Sequence, residues 1–204
     1  MKTDNRLKFL VRLALLVALQ FAMRLLGLGK VPVGPLNMSF LTLPIAVGAI
    51  VLGPVAGMIL GGVFGALSFY DAISGAGGMT AVFMGISPVH TFILCVGMRV
   101  LMGLCCGLVY QLCRKVDKTK LGWSYFVGAV SAPLLNTLFF MGYICMVFYR
   151  TEYVQGLVTK LGAANPVMFV ILLVGIQGLL EAAVCGVLGG VLARTVDAVV
   201  KRSE

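Results

Sequence analysis

Residues Leu43 to Gly65 read LPIAVGAIVLGPVAGMILGGVFG, an apolar run without a single charged side chain, interrupted only by Gly53-Pro54. Proline lacks an N–H and clashes inside a helix but fits its first turn, so the pair predicts a corner between two helices, over 39–52 and 55–72. Neither helix offers a polar face to water. The solvent that suits both is lipid.

The rest of the chain agrees. Its 204 residues are 60% hydrophobic and 11% charged, with a mean hydropathy of +1.06, more apolar than a water-soluble domain of this size can hide. A spanning helix needs roughly 20 apolar residues, so the length accommodates about six spans in one membrane domain, 1–204. Besides the two above, apolar runs predict spans at 7–27, 92–113, 123–148 (kinked at Pro133) and 166–194. The fold class expected is an all-α membrane protein, a six-transmembrane-helix bundle. The first run is too long for a signal-peptide core and ends in no small-residue cleavage site, so it is expected to stay as a helix.

Arg12 and Arg24, near the two ends of the first span, are placed to snorkel toward headgroups. The segment 28–38 holds Pro32, Gly34 and Pro35 and reads as an extended connection on the membrane surface, whereas the glycine-rich stretch 74–91 reads as a long, partly re-entrant loop. The net charge of +9 would raise a nucleic-acid partner in a soluble protein. Here the basic residues fall between spans. Alternate connections place eleven Lys and Arg on one side, concentrated at the N-terminus, at 114–120 and after 193, against Arg24, Lys30, Arg150 and Lys160 on the other. The positive-inside rule then puts both termini in the cytoplasm, with no nucleic acid involved.

Polar side chains at membrane depth cost a few kcal/mol each unless they face protein or water. Those here are Arg99, Asn136, Gln177 and Glu181. Gln177 and Glu181 are four apart and share a helix face, as do Asn136, Phe140 and Tyr143, so the two faces are candidates to line one cavity. Arg99 needs an anionic partner, either Glu181 or a ligand. His90 has no companion at metal-ligand spacing, and the six cysteines lie in or beside apolar runs without a CxxC pair, so they read as small packing residues, and no metal or cofactor is expected. In the first span Ala14, Ala18 and Ala22 recur every four residues, a strip on which another helix can dock closely. Gly57, Gly61 and Gly65 form a similar strip suited to internal packing. A phosphate-binding GxxxxGK[ST] loop, HExxH and GxSxG are all missing, so the chain carries no ATPase or hydrolase signature and is not expected to be an enzyme.

Four segments together, the alanine strip of the first helix, the 43–65 hairpin, MRVLMGLCCGLVY at 98–110 and APLLNTLFF at 132–140, resemble the substrate-binding S components of energy-coupling factor (ECF) transporters. That resemblance implies a subunit that captures a vitamin from outside, while a transmembrane coupling subunit and two ATPase subunits supply the work. It implies docking through Ala14, Ala18 and Ala22. It also implies a substrate site near the outer surface, enclosed by the 30–38 loop with Asn37 and by residues of the later helices: Arg99, Asn136, Phe140, Tyr143, Gln177 and Glu181. Pantothenate-type members look closest, with riboflavin, folate or a queuosine precursor as other substrates. The residues alone leave open a stand-alone secondary transporter or channel, although no inverted repeat is visible. A membrane-embedded enzyme has one histidine and one deep carboxylate to build from, which is little.

Overall fold

The computed structural model describes residues 2–29, 31–33, 36–117 and 122–202, with side chains described for 6–29, 39–117 and 122–200. The chain is almost entirely helical. Helix α1 (Lys2–Leu25) leads into a two-stranded antiparallel hairpin, β1 (Val31–Val33) with β2 (Leu36–Met38), in which Pro32 faces Asn37. Then follow α2 (Thr42–Val51), α3 (Pro54–Ile73), α4 (Met79–Ile86), α5 (Pro88–Val116), α6 (Trp123–Phe148), α7 (Glu152–Leu161) and α8 (Pro166–Val200). Helices α3, α5, α6 and α8 are each long and apolar enough to cross a membrane. α1 is as long, but Lys8, Arg12 and Arg24 interrupt its apolar run.

The Gly53-Pro54 corner is where the sequence places it. Gly53 adopts φ +98°, a conformation that side chains avoid, and Pro54 opens α3. From there α3 lies against α5 at backbone contact. A Cβ on Gly57 would sit 2.3 Å from the Gly103 carbonyl oxygen, and one on Gly61 would sit 2.2 Å from that of Arg99. Glycine lets the two backbones touch, which is how helices associate tightly where lipid supplies no hydrophobic drive between them.

Segments expected to be irregular turn out to be helical. The stretch 74–91 holds α4, whose Thr80 and Phe83 are buried, and Pro88 already starts α5, so the helix expected at 92–113 runs from 88 to 116. Ser87 and Pro88 explain both boundaries, because the residue before a proline is pushed to extended backbone and proline itself suits a first turn. His90 is therefore a first-turn helix residue rather than a loop residue, and its Nδ1 lies 2.8 Å from the Tyr143 hydroxyl. The connection after α6 carries α7, anchored by buried Val154. Asn165 caps α8 by accepting from the Met168 N–H, and the helix expected to stop at 194 continues to Val200.

Three five-residue π turns widen the long helices, at Ile93–Gly97, Ile144–Phe148 and Cys185–Gly189. Such turns tend to sit at functional positions. The first lies one turn before Arg99 and the third one turn after Glu181.

Of the 28–38 connection, residues 30, 34 and 35 lie outside the described residues. Ser39, just after β2, donates its N–H to Glu181 Oε1 at 2.9 Å. Glu181 is fifteen residues into α8, about 22 Å from its start at 1.5 Å per residue. The chain therefore descends into the bundle before α2 begins. That descent explains why α2 is only 10 residues long and buried along nearly all of its length.

Candidate functional site

A cavity of about 290 Å³ lies between the two hydrophobic clusters of the bundle, taking Leu41 and Phe64 from one and Met141 and Leu173 from the other. That volume suits a small solute, since pockets for drug-sized molecules start near 300 Å³. Its polar walls come from six helices and the turn before α2. α1 contributes Arg24, α3 Ser68 and Asp71, α5 Arg99, α6 Asn136 and Thr137, α8 Gln177 and Glu181, and Ser39 and Thr80 complete the ring.

Arg99 is 8% exposed. Its guanidinium carbon lies 4.3 Å from the ring centre of Phe64 and 4.9 Å from that of Phe140, so an aromatic ring packs against the cation from α3 and from α6. Nη1 donates to the Cys95 carbonyl, in the π turn of the same helix, at 3.0 Å. Nε is buried and makes no hydrogen bond. Among the described residues Arg99 and Glu181 form no ion pair, so of the two anionic partners the sequence left open, Glu181 is not the one seen.

Glu181 is 4% exposed and accepts two hydrogen bonds, from the Ser39 N–H and from Gln177 Nε2 at 3.2 Å, both on Oε1. The four-residue spacing of Gln177 and Glu181 thus acts within the helix as well as toward the cavity. Asn136 makes no hydrogen bond among the described residues, although it lines the cavity.

Arg24 corrects the expectation of a snorkelling side chain. It turns inward and pairs with Asp71, Nη2 on Oδ1 and Nη1 on Oδ2 at 3.1 Å, with Nη1 also donating to the Leu67 carbonyl at 3.2 Å. A bidentate fork of this kind neutralises both charges and fastens α1 to α3 beside the cavity. Asp71 is 4% exposed.

Of the residues picked out from sequence, Arg99, Asn136, Phe140, Gln177 and Glu181 meet at this one cavity, whereas Tyr143 does not line it and instead contacts His90. The side chain of Asn37 lies outside the described residues. Sequence reasoning missed Arg24, Asp71, Thr137 and the α7 residues Tyr153 and Leu157. Thr137 follows Asn136 directly, but the ion pair joins positions 47 apart and leaves no local signal.

Ala14, Ala18 and Ala22 all lie on the exposed side of α1, among exposed Leu7, Val11, Leu15 and Leu25. The opposite side carries buried Leu13 and Gln20, whose Nε2 donates to the Leu60 carbonyl. Among the described residues no three metal-ligating side chains converge.

A family model described as "ECF transporter, substrate-specific component" matches residues 8–193. No curated protein matches the chain.

Proposed function

The chain belongs to the family of ECF transporter substrate-specific components, multi-pass membrane subunits of transporters, and on that premise we propose that it captures a vitamin or related micronutrient for ATP-driven uptake by partner subunits. The observation that carries this reading is the cavity itself, a small space into which a lipid-immersed bundle turns Arg99, Asn136, Gln177 and Glu181 at considerable energetic cost. Bound ligand repays that cost. Pantothenate is the substrate that the sequence resemblance favours, with riboflavin, folate or a queuosine precursor as the other candidates.

In this reading α1, α2, α3, α5, α6 and α8 are the six membrane-crossing elements, with both termini in the cytoplasm of a bacterial-type cell. The short helices α4 and α7 and the 31–38 hairpin gather at the outward end, where the cavity receives ligand. Residues of α4 and α7 line the cavity together, which supports placing them at one end. The exposed alanine strip of α1 is the docking face for a transmembrane coupling subunit, itself driven by two ATPase subunits. The absence of a phosphate-binding loop in this sequence agrees with borrowed energy. Ligand capture orders the outer loops, and the bundle then tilts on its partner to release ligand inside.

Replacing Ala14 and Ala18 with tryptophan tests this division of labour. The doubly substituted chain is expected to bind ligand as the parent does and to lose co-purification with the coupling subunit together with uptake. Unchanged uptake by that variant rules out α1 as the docking face.

A further inference from the structure

Resting on the capture reading above, we propose that the cavity selects an organic carboxylate that also bears hydrogen-bond donors, with the carboxylate on Nη2 of Arg99 and the donors on Glu181 Oε2. Arg99 is a cation held nine-tenths buried in the cavity wall with much of its donor capacity unspent. Phe64 and Phe140 pack against the guanidinium, and the Cys95 carbonyl takes Nη1. What remains is Nη2, which makes no hydrogen bond among the described residues; Nε makes none either but is shut off from the cavity. The two N–H groups of Nη2 donate to a carboxylate as a charge-assisted pair.

Glu181 has the converse arrangement. Both hydrogen bonds it receives end on Oε1, from the Ser39 N–H and the Gln177 amide, and Oε2 accepts none among the described residues. A carboxylate oxygen in the cavity wall without a partner calls for a donor, and a ligand hydroxyl, amide N–H or ammonium supplies one. The remaining charges on the wall, Arg24 and Asp71, neutralise each other. The cavity therefore offers one cation and one anion, apart from each other, to a molecule with the complementary pattern. Its 290 Å³ limits that molecule to a small one.

The test is isothermal titration of the purified full chain in detergent with matched pairs that differ only in the acid group: pantothenate and pantothenol, biotin and biotinol, nicotinate and nicotinamide, with riboflavin as a carboxylate-free control. In at least one pair the acid is expected to bind on the order of 100-fold more tightly than its neutral counterpart, the scale of a lost charge-assisted pair. Arg99→Gln is expected to remove that difference. Arg99→Lys, which keeps the charge but not the guanidinium, is expected to restore part of it, and this separates recognition from misfolding. Equal binding of a neutral member or of riboflavin, unmoved by Arg99→Gln, overturns the carboxylate assignment and leaves the capture reading intact. Binding of none of the probes by monodisperse protein overturns the assignment too, and the capture reading then stands or falls on uptake by the assembled transporter.

Discussion

Arg99 and Glu181 show how far a single residue can be read from sequence. In an apolar chain a charge at membrane depth is expensive, so its presence alone marks it, and the same scarcity marks Asn136 and Gln177. Their convergence on one cavity follows from helical spacing within α6 and α8. Arg24 defeats that logic. Snorkelling is a rule about a residue and its own helix, whereas its pairing with Asp71 depends on where α3 packs, which no local pattern carries. Tyr143 fails for a related reason. Three residues beyond Phe140 it falls near the same face, but α6 widens into a π turn at Ile144 and the Tyr143 hydroxyl meets His90 instead of the cavity. Asn136→Ala removes a cavity amide that holds no internal structure together. It is expected to weaken ligand binding roughly tenfold, the worth of about one hydrogen bond, without lowering the melting temperature of the ligand-free chain. Titration paired with a thermal melt reads both.

At the scale of elements, the long apolar helices were legible because the need to satisfy every backbone group in lipid leaves few alternatives to a helix. Gly53-Pro54 fixed the α2–α3 corner for the same local reason. The short helices α4 and α7 were hidden. α4 sits among glycines that suggest a loop, and α7 is an amphipathic turn sequence whose one buried residue, Val154, finds its place only against other helices. The close α3–α5 contact was foreshadowed by Gly57, Gly61 and Gly65, but its consequence for the site was not. Gly61 touches the backbone of Arg99 itself, so this contact sets the depth at which the guanidinium sits. Gly61→Leu would drive a side chain into the Arg99 carbonyl. Overpacking of that kind is expected to cost on the order of 3 kcal/mol and to show as a lower melting temperature in detergent, together with weaker ligand binding.

Over the whole molecule the architecture separates two tasks. One side of α1 packs on the bundle through Leu13 and Gln20 and reaches the cavity through Arg24, while the other side exposes Ala14, Ala18 and Ala22. A helix so placed touches both the proposed ligand site and the proposed partner surface, and the Arg24–Asp71 pair is the polar link between them. Four helices are long and apolar enough to cross a membrane, whereas α2 has only 10 residues, so the proposed six-span arrangement and its orientation rest on the charge distribution along the chain. The measurement that tests the division of labour most directly is radiolabelled uptake into ATP-loaded proteoliposomes, with the chain reconstituted alone and then with the coupling subunit and both ATPases. The label is the compound that the titrations select. Alone, the chain is predicted to retain at most about one ligand per protein molecule, and the complete assembly to accumulate it against a gradient only while ATP lasts. Concentrative uptake by the chain alone contradicts the account.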